Sequence, residues 1–262
     1  MYFHEHTCDT PVENLAWDEA VLEGAEQMEG SEALRVWEMP RACVVVGRAS
    51  RVDDEVFVER CSRDNVPILR RMSGGSAIVA GPGCLMYSAL LSLEERPECR
   101  NVDAAHRTVM ERTRRGVEST LRRHGIEGTI AVEGICDLTW NGFKISGNAL
   151  RVKRHWLMYH GTILLTMPLE WISQYLKVPP RQPAYREGRA HDRFVTSLRP
   201  AVEDVPTFQS DLAKELANAW DARLAWIEHP LASKTAELAR DWMERRYADP
   251  AWHGERGGTR PP

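Results

Sequence analysis

A lysine, a hydroxyl and an amide, two residues apart in turn, form the densest chemistry in this chain. In Asn141-Gly142-Phe143-Lys144-Ile145-Ser146-Gly147-Asn148-Ala149 the Asn-Gly pair predicts a tight hairpin turn. Lys144 then enters a strand, and strand alternation puts Lys144, Ser146 and Asn148 on one face. Gly147 leaves room for a ligand to approach the backbone. That face suits a polar ligand; the plainer alternative is an edge strand with a solvated lysine. A second candidate is Arg70-Arg71-Met72-Ser73-Gly74-Gly75-Ser76-Ala77. Adjacent glycines admit a ligand and turn N–H groups toward an anion, and the arginines supply planar donors for phosphate or carboxylate. No Gly-Lys-Ser/Thr follows, so the segment is not a P-loop. By itself it equally reads as a glycine turn between strands. A third candidate is His160 in Tyr159-His160-Gly161-Thr162; a lone strand histidine more often serves structure than catalysis.

The elements that must position these residues follow from period and punctuation. A helix is predicted over residues 14–27, after Pro11, and strands over 34–37 and 43–46, separated by Pro40. A short charged helix covers 53–63, a strand 67–70, and two more strands 76–79 and 85–91. The strongest helix covers 102–124, with Val109, Met110, Val117 and Leu121 on one face and Gly125 as its stop. Strands are predicted over 129–132, 137–140, 144–150 and 157–165, a helix over 168–175, and a Pro- and Arg-rich loop over 178–191. Two helices, 210–224 and 233–247, precede a Gly/Pro/Arg tail, 252–262, expected to fray. Strands and helices are intermixed, with hairpins instead of regular βαβ units. That predicts an α+β fold with mixed sheets flanked by helices. The division expected is a catalytic domain over 1–200 and a short helical extension over 201–262.

Composition bounds the function. With 34 Lys and Arg against 38 Asp and Glu, no basic excess points to a nucleic-acid partner. The apolar runs are too short to span a bilayer, and Met1-Tyr2-Phe3-His4-Glu5-His6 is not a secretory leader, so a cytoplasmic location is expected. Cys8, Cys43, Cys61, Cys84, Cys99 and Cys136 share no CxxC spacing and none sits near a histidine pair, so they read as scattered reduced thiols.

Together the motifs resemble the lipoate–protein ligase and octanoyltransferase family, whose catalytic fold is shared with biotin–protein ligases. The resemblance runs over about residues 10–200. Asn14 to Ala20 is similar to the family's first helix. Leu34 to Trp37 and Val44 to Arg48 are similar to its paired early strands. Arg70 to Ser76 resembles R-R-x-S-G-G-G, and Asp137-Leu138 with Lys144 to Gly147 resembles N-D-L…K-x-S-G. His160 to Leu165 resembles H-G-T-L-L, and Arg193 to Leu198 the segment near the family's S-x-x-x-x-L end. Tyr247 to Trp252 resembles the close of the ligases' C-terminal part. The biotin ligases' G-R-G-R signature is absent.

The resemblance implies attachment of lipoate, octanoate or a related medium-chain acid to a lysine of a lipoyl domain, through an acyl-adenylate. The acceptors implied are lipoyl domains of 2-oxoacid dehydrogenase complexes or the glycine cleavage H protein. It implies that Arg71, Gly74, Gly75, Ser76, Ala77, Ile78 and Val79 hold the nucleotide of ATP. Lys144 would lie between acid and α-phosphate as the catalytic cation. Arg70, Ser73, Asp137, Ser146, Gly147, His160 and Gly161 would line the substrate site, with Asp137 as the candidate Mg²⁺ ligand. Three positions depart from the family pattern, and all fall where a nucleotide or metal would be gripped. Ser76 stands for the third glycine, Cys84 for an asparagine after Gly83, and Cys136 for the asparagine before Asp137. The departures leave two alternatives open. One is an octanoyltransferase drawing on acyl carrier protein through a cysteine thioester. In that family the cysteine sits in P-C-G or C-F-D-x-P, and Cys136 sits in neither. The other is a homologue that binds the ligands without catalysis.

Overall fold

The computed structural model of the protein describes residues 1–28, 30–179 and 182–254. Local signals start helix α1 (Pro11–Gln27): Thr10 caps Glu13, the Glu13 carboxylate returns to the Thr10 N–H, and Pro11 opens the first turn. A strand precedes it, β1 (Tyr2–Glu5), and two follow, β2 (Ala33–Glu38) and β3 (Cys43–Val46). The helix expected over 53–63 is two short ones, α2 (Val52–Glu55) and α3 (Val58–Arg63). The break at Val56 and Phe57 has a tertiary cause: Val56 bridges Leu176 and the Phe57 N–H donates to the Tyr175 carbonyl.

Next come β4 (Ile68–Arg70), β5 (Ile78–Ala80), β6 (Cys84–Ser92) and the long helix α4 (Val102–Arg123), capped by Asn101. A small meander follows: β7 (Ile130–Glu133), β8 (Asp137–Trp140) and β9 (Phe143–Ser146), the last two turning at Asn141 and Gly142 as predicted. Then come β10 (Asn148–Val152), β11 (Trp156–Leu164), α5 (Glu170–Tyr175), α6 (His191–Phe194), α7 (Val205–Ala219), β12 (Leu224–Ala225), α8 (Thr235–Trp242) and α9 (Pro250–His253).

The strands form a six-stranded mixed sheet, ordered β10-β11-β6-β2-β1-β12, and two three-stranded sheets, β4-β3-β5 and β7-β8-β9. The class is α+β. The strand expected over 144–150 is divided at Gly147: β9 pairs within the meander and β10 within the large sheet. Gly147 joins them, its N–H donating to Thr162 Oγ1 and its carbonyl receiving the Thr162 N–H. Among the described residues, no helix is long and apolar enough to cross a membrane.

The C-terminal elements pack onto the rest. Phe208, Leu212 and Leu216 of α7 share one core with Leu34, Tyr87 and Val109. Glu19 on α1 accepts from the Tyr247 hydroxyl at 2.8 Å and pairs with Arg246. The tail expected to fray is anchored where it is described. Trp252 is buried, its indole N–H donates to the Arg70 carbonyl at 2.9 Å, and Arg70 donates to the carbonyls of Trp252 and Gly254. Residues 255–262 lie outside the described residues.

Strands β1 and β12 were not anticipated; both are held by parallel pairing with distant segments. His4 on β1 is stacked between His6 (centroids 4.8 Å) and Trp226 (4.7 Å). Burial, aided by the charge of His6, pushes the His4 pKa down to about 3. The folded chain therefore resists a proton that the unfolded chain accepts near 6.5. Its contribution to stability is present above pH 6.5 and is lost as pH falls from there toward 3. The thermal midpoint should drop between pH 7 and 5, and His4→Phe should flatten that drop. An unchanged slope in the variant would assign the acid sensitivity elsewhere.

Candidate functional site

Two adjoining cavities open between the sheets. The larger, about 540 Å³, has an apolar wall of Leu15, Trp37, Val45, Met86 and Ala149, and a polar wall that includes Asp137, Lys144, Asn148 and His160. The smaller, about 160 Å³, is bordered by Glu55, Ser146, Lys177, Arg186 and His191. Ser76, Ala77, Ile78, Lys144, Gly147 and Thr162 border both. Lys144 thus lies at the junction, and its ammonium pairs with Asp137 Oδ1 at 2.8 Å.

The glycine turn is wired mainly to itself. Arg71 donates from Nε to Ser73 Oγ at 3.0 Å, from Nη1 to the Val45 carbonyl at 3.1 Å, and from Nη2 to the carbonyls of Gly74 and Ser76 at 2.5 and 3.0 Å. Only one of its five N–H groups is left for a ligand in the larger cavity it borders. Burial lowers the Arg71 pKa to about 10, which still leaves it charged. Gly75 has φ +88°, and a Cβ there would meet Arg71 Nη2 at 2.9 Å, so the turn requires glycine. Gly74 adopts no positive φ, and a Cβ there would meet no described residue, so at Gly74 only the close approach of a ligand remains as the expected reason for glycine. The Ala77 N–H, expected to face an anion, is engaged by the Glu55 carboxylate.

Arg70 is a correction. Expected in the substrate site, it is fully buried and borders neither cavity. Its guanidinium donates to backbone carbonyls of Gly47, Arg48, Ser50, Trp252 and Gly254. Successive strand residues point to opposite sides, so Arg71 reaches the cavity while Arg70 holds the C-terminal segment. Ser73 is likewise fully buried and reaches the site through His160 and Arg71.

His160 borders the larger cavity, but both ring nitrogens are engaged. Nε2 meets Ser73 Oγ at 2.5 Å and Nδ1 faces Asp18 Oδ2 at 3.6 Å. Asp18, 3% exposed, also accepts from Arg35 at 2.8 Å and Ser88 at 2.5 Å. Burial alone would raise its pKa; the facing His160 ring and the charge of Arg35 outweigh that and lower it, so it stays a carboxylate. His160 is therefore oriented from behind and offers its ring, not a nitrogen, to a ligand. Gly161 is demanded by Asn148, whose Oδ1 would lie 1.7 Å from a Cβ there.

Cys136 borders the larger cavity, with Sγ donating to the Asn148 carbonyl at 3.3 Å. Burial, then the Asp137 charge, pushes its pKa up to about 11, more than Lys144 and Arg71 lower it. The pKa values of the other five cysteines are raised as well, each chiefly by burial. At neutral pH all six are thiols.

Asp137 has little to offer a metal. Oδ1 holds Lys144 and Oδ2 accepts from the Tyr185 hydroxyl at 2.7 Å. Among the described residues no group of three or more His, Cys, Asp or Glu is placed to hold a metal ion. Sequence reasoning missed Tyr185, Glu55, Asp18 and Arg35. The first lay in a segment legible only as a Pro- and Arg-rich loop, and the others looked like ordinary charged residues of helices and a strand.

Mixed sheets thus enclose two adjoining cavities, each lined by apolar and charged side chains, that share Lys144. The family model for the lipoyl protein ligase A/B catalytic domain matches residues 10–218, and the chain belongs to that family. It is 33% identical over 160 residues to a putative lipoate-protein ligase A of Aeropyrum pernix, an alignment spanning 61% of this chain and 56% of that one. It is 26% identical to the octanoyltransferase LipM of Carboxydothermus hydrogenoformans, over 95% of this chain and 97% of that one. The bi-partite lipoate protein ligase of Thermoplasma acidophilum, solved in a study of that ligase and its E2 lipoyl domain, superposes with a TM-score of 0.77 at 19% identity. It covers 96% of this chain and 95% of its own, which establishes the fold.

Proposed function

We propose that this protein is a lipoate–protein ligase: it attaches lipoate or a related medium-chain acid to a lysine of a lipoyl domain through an acyl-adenylate made from ATP. One observation carries the reading: two cavities meet at Lys144, and burial pushes the pKa of the Cys136 thiol bordering the larger one up to about 11. An adenylate route needs two sites sharing a cation. A thioester route needs an activated thiol.

In this reading the acyl tail lies along Leu15, Trp37, Val45 and Met86, each buried methylene contributing about 0.8 kcal/mol. The acid's carboxylate turns toward Lys144. The nucleotide takes the smaller cavity, along Ser76 to Val79 and beside Lys177, whereas Arg71 and Gly75, expected at the nucleotide, border only the larger cavity and Gly74 borders neither. The carboxylate oxygen attacks the α-phosphorus and pyrophosphate leaves. The acceptor amine then attacks the acyl carbonyl, loses a proton, and AMP leaves. Lys144 stabilises the negative charge that grows on oxygen in both steps, and the enclosed cavity shields the mixed anhydride from water. No described cluster of side chains fits a resident Mg²⁺. Such an ion would arrive on the nucleotide's own phosphates, and no step here runs through it. The lipoyl-domain acceptor rests on the partner named for the Thermoplasma neighbour; the glycine cleavage H protein is the second acceptor to try.

Lipoate and ATP together should release pyrophosphate and acylate an added lipoyl domain. Lipoate binding without pyrophosphate release would leave a non-catalytic homologue. A second reading is supported by the LipM relative, which aligns along nearly the whole chain. It is octanoyl transfer from acyl carrier protein through a thioester, and Cys136 is the cysteine placed for it. Under the ligase reading Cys136→Ser retains most activity, since serine keeps the size and the donor. Intact-mass detection of octanoyl on Cys136, with full activity in the absence of ATP, would establish the second reading instead.

A further inference from the structure

The geometry points to Tyr185 as a positioning residue: it sets the Asp137 carboxylate, and through it Lys144, only while the segment over residues 182–195 is seated on the cavities. The inference rests on the reading of Lys144 as the cation facing the acyl group, and gives that cation a regulator.

The chain of contacts is short. Asp137 is 8% exposed, so its carboxylate depends on protein partners. One oxygen holds Lys144 at 2.8 Å and the other accepts from Tyr185 Oη at 2.7 Å. Two bonds on opposite oxygens fix the rotation of the carboxylate. Burial and the adjacent Asp137 charge push the Tyr185 phenol up, which keeps it the donor. Asp137 and Lys144 belong to β8 and β9, which are paired strands, whereas Tyr185 comes from outside that sheet.

The segment bearing Tyr185 is a wall of both cavities. Pro183 borders the two, and Arg186 and Phe194 border the smaller. It is stitched internally: Arg186, 3% exposed, donates to the Arg189 carbonyl, and Arg189 donates to the carbonyls of Tyr185 and Arg186. Its far end meets the catalytic strand, where Val195 bridges Lys144 and the Thr196 N–H donates to the Lys144 carbonyl. The Tyr185 ring lies against Phe194 at 5.2 Å between centroids, and its edge would meet a Cβ at Gly134 at 3.2 Å. One segment therefore closes over a ligand and aims the cation at it. If the segment lifts, Asp137 loses one partner and Lys144 loses its fixed acceptor.

The test is a double-mutant cycle on the full chain with Tyr185→Phe, Asp137→Asn and both together. Phenylalanine keeps the ring packing, so the thermal midpoint and the KM for lipoate should stay near wild type. The kcat for acyl transfer to a lipoyl domain should fall about tenfold, the scale of one hydrogen bond to a charged group. The double variant should be no slower than Asp137→Asn alone, because Tyr185 acts through Asp137. Wild-type kcat in Tyr185→Phe, or losses that multiply in the double variant, would overturn the inference. If the wild-type protein transfers no acyl group from either lipoate with ATP or octanoyl-acyl carrier protein, the functional reading fails separately. The pH dependence of Lys144 labelling by an amine reagent in the same four proteins then decides the coupling: a shift caused by Tyr185→Phe that vanishes in the Asp137→Asn background supports it, and no shift, or the same shift in both backgrounds, refutes it.

Discussion

Replacing Lys144 by alanine is expected to lower acyl transfer by at least about a hundredfold, the scale of losing one main electrostatic stabiliser of a transition state. Lys144 is the cation bordering both cavities beside the acidic Asp137, so in the proposed ligase reaction its loss would remove charge compensation from both the adenylation and the transfer step. The fold should persist. The Lys144 side chain is partly exposed, and Asp137 keeps the hydrogen bond from Tyr185. The measurement pairs pyrophosphate release with acylation of a lipoyl domain, each alongside a thermal midpoint. Near-normal rates from a folded variant would remove Lys144 from the mechanism. A loss confined to a protein that no longer melts cooperatively would speak only to stability.

Arg35→Met should cost about 3–5 kcal/mol, because it strands the buried Asp18 carboxylate that Arg35 now neutralises. In a chain of this size that lowers the thermal midpoint by roughly 10 °C. The guanidinium also donates to Asn14 Oδ1 at 2.5 Å and the His6 carbonyl at 3.0 Å, and lies 4.5 Å from the Trp37 ring centroid, so little else could take its place. Adding Asp18→Asn to Arg35→Met removes the stranded charge and should recover much of the loss. The functional consequence runs through His160, whose Nδ1 faces Asp18 and whose ring borders the larger cavity. A thermal midpoint unchanged in Arg35→Met would mean that Asp18 finds another partner or water, and that the pair does not hold the cavity floor.

Much of this was legible in order along the chain. The hairpin at Asn141 and Gly142, the start of α1 and the amphipathic span of α4 are local events, decided by turn chemistry, capping and period 3.6. Lys144 and the glycine turn were legible for the same reason: a cation just past a tight turn and paired glycines carry their constraints within a few residues. Their order, with His160 after them, sufficed to indicate the family.

What sequence alone did not decide depends on partners far along the chain. Arg70 and Arg71 are neighbours of the same type, and only the packing of residues 252–254 against β4 shows that the first is a clamp. Strands β1 and β12 exist because parallel pairing joins residues 2–3 to 224–225, and no local propensity encodes such a pairing. Tyr185 acquires its part only because a loop folds back over β8 and places a hydroxyl 2.7 Å from Asp137. The amino-acid sequence by itself determined the α+β class, the motif segments and the central lysine, since these rest on short-range sterics and periodicity. The tertiary structure decided which side chains the ligand could meet and which are consumed in holding them, because a buried polar group must find its partner wherever in the chain that partner lies.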